Sequence, residues 1–352
     1  MAFELGETYS GYKFLDVSKR TKNGVEYRVQ NTFAQRVEIL RTLPETAQGD
    51  QEQAERFLRE VRVRARLVHP NIVTLFNAVE LGRQLAMTTE LVEGISLAER
   101  LKLGPMIWRE ALNLFRQALA AAGFAHDQQV VHRDINPDNI VIAPGEILKL
   151  TNFGLAKMAA SPKLTQVGAV LGNLKYISPE QVKGTGEADG RSDLYSLGAV
   201  LYEMLCGRPP FDSQSQFELM AAHVNEVPKP PSVWNSQIPA ALDVVVLKSM
   251  AKDPAERYQT AQEFAEALAQ VAQTGEPLPT AEAEPAMASV VAARASEARP
   301  QPAAGEAQRM VAGVPAFLAA VASPRISLSW FFFSGAAAAC FLLFMVLWFS
   351  SK

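Results

Sequence analysis

The chain has too few cysteines to be held together by disulfide bonds. Cys206 and Cys340 are the two cysteines among 352 residues, and they cannot form the disulfide framework of a small secreted domain. A reducing cytosol therefore suits the part of the chain outside any membrane. The first residues include acids and have no long apolar core, so we expect no signal peptide there.

A net charge of one sign is also nearly absent. The 34 Lys and Arg residues and 37 Asp and Glu residues leave a formal charge of −3. A protein that binds nucleic acid mainly through its electrostatic field would carry a strong positive excess. The composition therefore predicts no nucleic-acid partner.

Long apolar runs are scarce, but one stands close to the C-terminus. Leu328–Phe349 carries no charged residue, and as a helix it would be about 33 Å long, close to the thickness of a bilayer core. Trp330 and Trp348 lie near its ends, where interfacial aromatics are favoured. We predict one transmembrane helix in the cell inner membrane or plasma membrane. A buried core helix is the alternative. Because Arg325 precedes the segment and Lys352 follows it, the positive-inside rule hardly distinguishes its two orientations in the membrane.

The remaining chain divides by composition into two structured parts and a linker. Residues 10–92 alternate like short strands, and residues 93–270 are mainly helical, with Gly94 at the change as a predicted hinge. Residues 271–327 are rich in Ala, Pro and Glu, which predicts a disordered linker with a reach on the order of 40 Å.

The strand-rich part contains one predicted helix. Gln51–Val68 has helical periodicity, and Asp50 is the expected N-cap. The predicted strands are Gly11–Val17, Val25–Gln30 and Val37–Thr42.

Two short motifs in the helical part carry the chemistry. His132-Arg133-Asp134 is followed five residues later by Asn139, and Asn152-Phe153-Gly154 comes shortly afterwards. These motifs resemble the catalytic loop and metal-binding loop of eukaryotic-type Ser/Thr protein kinases, in their bacterial branch. The resemblance implies an α+β fold with a small β-rich N-lobe (10–92) and a large helical C-lobe (93–270).

The resemblance also implies ATP, Mg²⁺ and protein hydroxyls as ligands. Asp134 corresponds to the residue that accepts the substrate hydroxyl proton, while Asn139 and Asn152 stand at the metal positions. The alternative role of Asp134 is a hydrogen-bonded organiser of its loop. Glu90 and Val92 correspond to the hinge that binds adenine through its backbone.

Further motifs in the family's order extend the resemblance over residues 10–270. Glu60 corresponds to the glutamate of the N-lobe helix. Glu180 closes the activation segment and is expected to pair with Arg257, and Asp193 is expected to brace the catalytic loop.

Several positions depart from the family pattern. Of the glycine-rich turn only Gly24 remains, with Lys19 at the first glycine position. Lys22 or Lys19 is a candidate for a phosphate-binding cation, and an ordinary solvated hairpin is the alternative.

The strand expected to supply the phosphate-clamping lysine has Leu40 at that position, 20 residues before Glu60. Arg41 follows, and because side chains alternate along a strand, we expect it to point away from the cleft. Arg64 occupies a usually apolar position against the Phe of the metal loop. A solvated Glu60–Arg64 pair on one helix face is the alternative.

The transfer apparatus has changed as well. Asn152 replaces the acid of the metal loop, and an amide is a poorer Mg²⁺ ligand than a carboxylate. Asn136 and Asn173 replace a lysine and a threonine of the family. Thr165 is the expected phosphosite, bound by Arg133, and an unmodified activation segment is the alternative.

Three functions fit this pattern, and the combined change of phosphate, metal and transfer positions favours the first, with the other two as alternatives. The first is a membrane-tethered pseudokinase that acts as a signalling scaffold or allosteric regulator of protein partners. The second is a weak Ser/Thr protein kinase that transfers the ATP γ-phosphate to protein hydroxyls. The third is a nucleotide sensor that binds ATP without metal.

Overall fold

The computed structural model describes residues 3–21, 24–44, 50–82, 84–153, 174–184 and 188–274. All of them lie in one of the two compact units of the chain, Met1–Glu282. Leu328–Phe349, Lys22 and Thr165 lie outside the described residues, so the predicted span, phosphate cation and phosphosite stay predictions. Within the described ranges, no helix is both long and apolar enough to cross a bilayer.

A six-stranded antiparallel sheet forms the N-lobe, in the order β1-β2-β3-β4-β6-β5. The three strands predicted from alternation are β2, β3 and β4, and they begin and end within a few residues of the predicted bounds. The strands are β1 Thr8–Tyr9, β2 Tyr12–Thr21, β3 Gly24–Asn31, β4 Arg36–Thr42, β5 Leu75–Leu81 and β6 Gln84–Glu90.

Helix α1, Gln51–Arg64, packs against this sheet. Asp50 is its N-cap, as predicted, since Asp50 Oδ1 accepts hydrogen bonds from Glu52 N at 3.0 Å and Gln53 N at 3.2 Å. The helix ends four residues before the predicted Val68. The chain tightens there, where Leu67 N bonds to Arg64 O, three residues back, at 3.0 Å.

The two faces of the sheet bury different side chains. One face holds the apolar cluster of Tyr12, Phe14, Tyr27, Val29, Leu40, Leu81 and Ala86. The other face packs on α1 through Leu43, Phe57 and Met87. Because successive residues of a strand face opposite sides, β4 sends Leu40 into the first cluster and Arg41 towards α1.

The C-lobe is helical and carries a small antiparallel sheet of β7 Ile95–Ser96, β8 Ile140–Ala143 and β9 Ile147–Leu150. A 3-10 turn, Pro137–Asn139, precedes β8. The helices are α2 Leu97–Leu101, α3 Trp108–Asp127, α4 Pro179–Lys183, α5 Gly190–Cys206, α6 Gln216–Asn225, α7 Ala240–Ser249 and α8 Ala261–Thr274. Two more 3-10 turns lie at Pro231–Val233 and Pro254–Glu256.

Helix α5 is the centre of the C-lobe core, and most of its residues are buried. Gly94 lies just before β7, where an added Cβ would be 2.3 Å from Ile142 O. The close approach of two backbone segments therefore explains the glycine at this junction. Together the lobes form the α+β, two-lobed architecture that the resemblance implies.

Candidate active site

The catalytic loop is held by one buried carboxylate on α5. Asp193 is 1% exposed. Its Oδ2 accepts from His132 N and its Oδ1 accepts from Arg133 N, both at 2.8 Å. His126 Nε2 also lies 2.8 Å from Asp193 Oδ2. Arg133 has a φ of 65°, a conformation that is costly for a residue with a side chain, and the two backbone bonds hold it there.

Asp134 lies in this loop beside two amide side chains. Asn136 Nδ2 donates to Asp134 O at 3.0 Å and to Asp134 Oδ1 at 3.1 Å. Asn139 Nδ2 donates to Asp134 O at 2.8 Å. The Asn136 side chain is buried and also accepts from Asp138 N. Where the family has a lysine, this chain therefore has a neutral side chain that hydrogen-bonds Asp134.

The metal loop is joined to the catalytic loop by an amide pair. Asn152 Nδ2 donates to Asn139 Oδ1 at 3.0 Å. Asn152 has a φ of 56°, which Asn tolerates better than most residues. Phe153 packs on His132 with ring centroids 4.6 Å apart. Asn152 and Phe153, the described residues of the metal loop, thus contact the catalytic loop although the acid is missing.

These residues do not fit the magnesium ions that the family uses. Mg²⁺ favours anionic oxygens in near-octahedral geometry. Here Asn152 offers a neutral oxygen, and Asn139 Oδ1 already accepts from Asn152. Within the described part of the chain, no group of three or more His, Cys, Asp or Glu side chains is placed to hold a metal ion. No catalytic step is therefore assigned to a bound metal.

Arg41, rather than Leu40, faces Glu60. Arg41 Nη2 lies 2.5 Å from Glu60 Oε2, and the two side chains are 16% and 11% exposed. Leu40 is fully buried in the cluster on the opposite face of the sheet. The expectation that Arg41 points away is wrong, because β4 places Arg41 on the face towards α1 and Leu40 on the opposite face. The missing lysine is replaced by an arginine 19 residues before Glu60.

The sequence carried a signal that would have identified Arg41. Leu40 has an apolar side chain suited to a buried cluster, whereas Arg41 is a cation on the strand next to a helix that carries Glu60. An apolar side chain and a charged one at adjacent positions favour opposite environments. The choice of face follows from that contrast.

Glu60 has a second arginine partner on its own helix. Arg64 Nε lies 3.0 Å from Glu60 Oε1, and both side chains are nearly buried. The interpretation of this pair as solvated is therefore wrong. Burial lowers the pKa of Arg64, and the Glu60 carboxylate opposes that shift. An arginine keeps its charge at neutral pH, so two guanidinium groups share one carboxylate.

Gly24, the one glycine left at the positions of the glycine-rich turn, is required by the backbone geometry. Gly24 begins β3 with a φ of 130°, and an added Cβ would be 1.9 Å from Thr42 O. No side chain fits there, whatever the turn binds. Lys19 is an exposed residue of β2, which agrees with the solvated alternative for that side chain.

The hinge residues lie at the end of β6. Glu90 N donates to Thr74 O at 2.9 Å, and the Glu90 carboxylate pairs with Lys149 Nζ at 2.8 Å. The Glu90 side chain therefore links β6 to β9, and both this side chain and the Glu90 N–H already have partners within the protein. Val92 is half-buried in the segment that follows.

An ion pair ties the end of the activation segment to the C-lobe. Arg257 Nη1 and Nη2 donate to the two carboxylate oxygens of Glu180, each at 2.8 Å. Burial alone would raise the pKa of Glu180, but hydrogen bonds from Arg257 and Ser192 outweigh it and lower this pKa to about 2. The structure thus brings together the two residues that the resemblance paired.

Comparisons with known proteins agree with this geometry. The protein kinase domain family matches residues 22–270. The Serine/threonine-protein kinase PrkC of Bacillus subtilis is 36% identical over 262 residues, which cover 74% of this chain and 40% of PrkC. The Serine/threonine-protein kinase PknB of Mycobacterium tuberculosis is 41% identical over 229 residues, 63% of this chain and 36% of PknB.

Solved structures give the same result. The kinase domain of Mycobacterium tuberculosis PknI superposes with a TM-score of 0.61 at 27% identity, covering 78% of this chain and all of that one. The chain spans less than half the length of the two curated relatives. With a domain match over more than half of the sequence and relatives above 30% identity, the chain belongs to the protein kinase family, among the bacterial Ser/Thr protein kinases.

Proposed function

We propose that this chain is a slow Ser/Thr protein kinase that transfers the γ-phosphoryl group of ATP to protein hydroxyls. The observation that carries the proposal is the Arg41–Glu60 ion pair. Phosphoryl transfer depends mainly on positioning and on neutralisation of phosphate charge. Arg41 supplies a cation on the helix-facing side of β4, and a guanidinium can bind a carboxylate and a phosphate through different N–H groups.

The ordered catalytic loop supports the same function. Asp134 is the proposed base for the hydroxyl proton, and Asp193 fixes the backbone on its N-terminal side through two bonds of 2.8 Å. Glu90 and Val92 are the proposed adenine contacts through their backbone. The curated relatives named above carry the name Ser/Thr protein kinase, which favours protein hydroxyls as acceptors.

The low rate of transfer follows from the absence of the metal-loop acid and of two other residues of the transfer apparatus. A metal ion contributes several kcal/mol of charge stabilisation to phosphoryl transfer. Without the metal-loop acid, transfer is expected to slow by about a thousandfold or more. Asn136 and Asn173, in place of a lysine and a threonine, remove two further contacts of the transfer apparatus.

The location is part of the proposal. Leu328–Phe349 would anchor the chain in a membrane, with the kinase domain in the cytoplasm and a flexible linker between them. Protein substrates or partners would then be met at the membrane surface. Phosphorylation of Thr165, held by Arg133, would order the activation segment.

One observation favours a second candidate, a pseudokinase that regulates partner proteins without transfer. Asn152 and Asn139 hydrogen-bond each other at 3.0 Å, where active relatives hold metal. The same fold would then present a surface to partners. The two candidates differ in one measurable quantity, the rate of transfer that depends on Asp134.

A transfer assay separates them. The full-length chain is incubated with labelled ATP and a protein acceptor, with Asp134→Ala as the test variant. Asp138→Ala is the matched control, because it removes an exposed carboxylate from the same loop. Slow transfer that is lost only in Asp134→Ala supports the kinase. Equal rates in all three proteins exclude it and favour the pseudokinase.

A further inference from the structure

The helix that carries Glu60 holds a buried cation which the family mechanism does not use. Arg64 is 9% exposed and lies close to Asn152 and Phe153, around a gap that is too small to hold a water molecule. Its Nε lies at ion-pair distance from Glu60 but makes no well-aligned hydrogen bond. A buried guanidinium whose Nε has no aligned hydrogen-bond acceptor, next to the metal loop, needs an explanation.

The charge of this group reaches the catalytic loop. Burial lowers the pKa of His132, and the positive charge of Arg64 acts in the same direction, against Asp193 and Asp134. Asn152 is exposed, whereas Arg64, which lies close to it, is buried. In a low-dielectric setting an unscreened charge acts over several ångströms.

The charge difference from the family pattern equals that of one divalent ion. Replacing the metal-loop acid with Asn152 removes one negative charge, and replacing an apolar residue with Arg64 adds one positive charge, which together make a change of +2. Glu60 is shared between Arg41 and Arg64, so this group of three keeps a net charge of +1. Glu60, Arg41, Arg64 and Asn152 together therefore carry two more positive charges than the family pattern would at these positions.

We propose that Arg64 takes the place of the divalent cation, so that Arg64 and Arg41 neutralise the triphosphate and ATP binds without Mg²⁺. The inference rests on the nucleotide binding that the proposed function requires. The ligand class is a free, metal-free nucleoside triphosphate. Because the free anion carries more negative charge than its magnesium complex, it binds at least as tightly to a cleft with fixed positive charge.

The test is the dissociation constant of ATP for the full-length chain, measured by equilibrium dialysis in Mg²⁺ and in EDTA. We expect the two constants of the unaltered protein to agree within about twofold. For Arg64→Leu we expect binding in EDTA to weaken about tenfold or more, since a partly buried unit charge is worth at least that much. Arg64→Lys, which keeps the charge, restores most of the affinity.

Two further variants make the experiment specific to position 64 and to the metal loop. Arg62→Leu is the matched control, because it removes an exposed cation from the same helix and leaves both constants unchanged. Asn152→Asp combined with Arg64→Leu restores the family pattern, and we expect ATP binding by this double variant to become dependent on Mg²⁺ by about tenfold or more.

The outcomes separate this inference from the proposed function. Binding by the unaltered protein that needs Mg²⁺ overturns the role of Arg64 and leaves the kinase proposal standing. Equal weakening by Arg62→Leu and Arg64→Leu also overturns it, because the effect is then general surface charge. No ATP binding in either buffer overturns both proposals. If Arg64→Leu does not fold, the metal dependence of the unaltered protein and of Arg64→Lys still decides the question.

Discussion

Arg257 donates two hydrogen bonds, each 2.8 Å long, to the carboxylate of Glu180. The arginine is 2% exposed and comes from the loop before α8, whereas the glutamate lies in α4 at the end of the activation segment. Ser192 donates a third hydrogen bond to the same carboxylate. The pair therefore joins segments 77 residues apart and determines where the activation segment ends.

We expect Arg257→Met to lower the free energy of unfolding by about 3–5 kcal/mol, because it leaves the largely buried Glu180 carboxylate without its cation. Urea unfolding of the full-length chain measures this. Glu180→Gln combined with Arg257→Met serves as the control, since removing both charges should cost less than the sum of the two single changes. Strict additivity would show that the pair is not coupled.

A buried histidine is expected to make stability depend on pH. Burial and then the charge of Lys252 lower the pKa of His223 to about 3, well below its unfolded value. The unfolded chain then binds more protons than the folded one between those values, so stability is complete above about pH 6.5 and falls as the pH decreases from there.

The histidine contribution can be isolated between pH 7 and pH 5, where carboxylates still change little. We expect the unaltered protein to lose about 1–2 kcal/mol more than His223→Gln over this interval. Chemical unfolding at several pH values gives the two slopes. Identical slopes would mean that His223 is not held neutral by its surroundings, which include Tyr195 at 2.9 Å.

Substitutions of the adjacent residues Leu40 and Arg41 of β4 are expected to affect different properties, stability in the first case and ATP binding in the second. Leu40→Ala should lower the free energy of unfolding by about 2–5 kcal/mol, because it leaves a cavity in a buried cluster, while the ATP dissociation constant of the folded fraction stays within about twofold. Arg41→Ala should weaken ATP binding by about tenfold or more, since it removes the cation beside Glu60. Calorimetric titration measures the ATP dissociation constant, and thermal unfolding measures the stability. Weakened ATP binding in Leu40→Ala but not in Arg41→Ala would contradict the placement of Arg41 beside Glu60.

The hydrogen bonds that Asp193 accepts from the backbone of the catalytic loop give a fourth test. Asp193→Asn keeps the shape but replaces one acceptor oxygen with a donor, so His132 N or Arg133 N loses its partner. We expect a loss of about 1–3 kcal/mol in the free energy of unfolding and loss of the Asp134-dependent transfer. Asp189→Asn is the matched control, because asparagine caps α5 as well as aspartate does, and the exposed ion pair of Asp189 with Arg191 contributes little to stability. Equal effects of both changes would remove the special role of Asp193.

Much of the fold could be predicted because local chemistry agrees with the tertiary structure. Asp50 followed by a periodic helix, and alternating strands bounded by turns, each led to an element within a few residues of its observed limits. The catalytic loop and its partner Asp193 were predictable from motif order alone, since each motif has one position in this fold.

The site was harder to predict at β4, where a shift of one residue changes which face of the sheet a side chain lies on. Leu40 and Arg41 differ by one position, and a one-residue error in a strand exchanges the cleft face for the opposite face. The burial of Glu60 and Arg64 was also missed, because an i,i+4 ion pair in a sequence looks the same whether it lies in solvent or against another segment. Only the packing of α1 against β4 and Phe153 decides that.

The hydrogen bond between Asn152 and Asn139 could not be predicted from sequence. The motif predicts that both residues lie near the metal position, but which amide groups meet depends on the backbone of two loops, including the φ of 56° at Asn152. That geometry joins Asn152 to the catalytic loop although the acid is lost.

The most direct measurement is phosphate incorporation into a protein acceptor by the full-length chain, read by mass spectrometry after incubation with ATP. We expect slow incorporation at Ser or Thr hydroxyls that is lost in both Arg41→Ala and Asp134→Ala and kept in Asp138→Ala. No incorporation by the unaltered protein, or incorporation that survives both losses, would contradict a kinase in which Arg41 replaces the missing lysine.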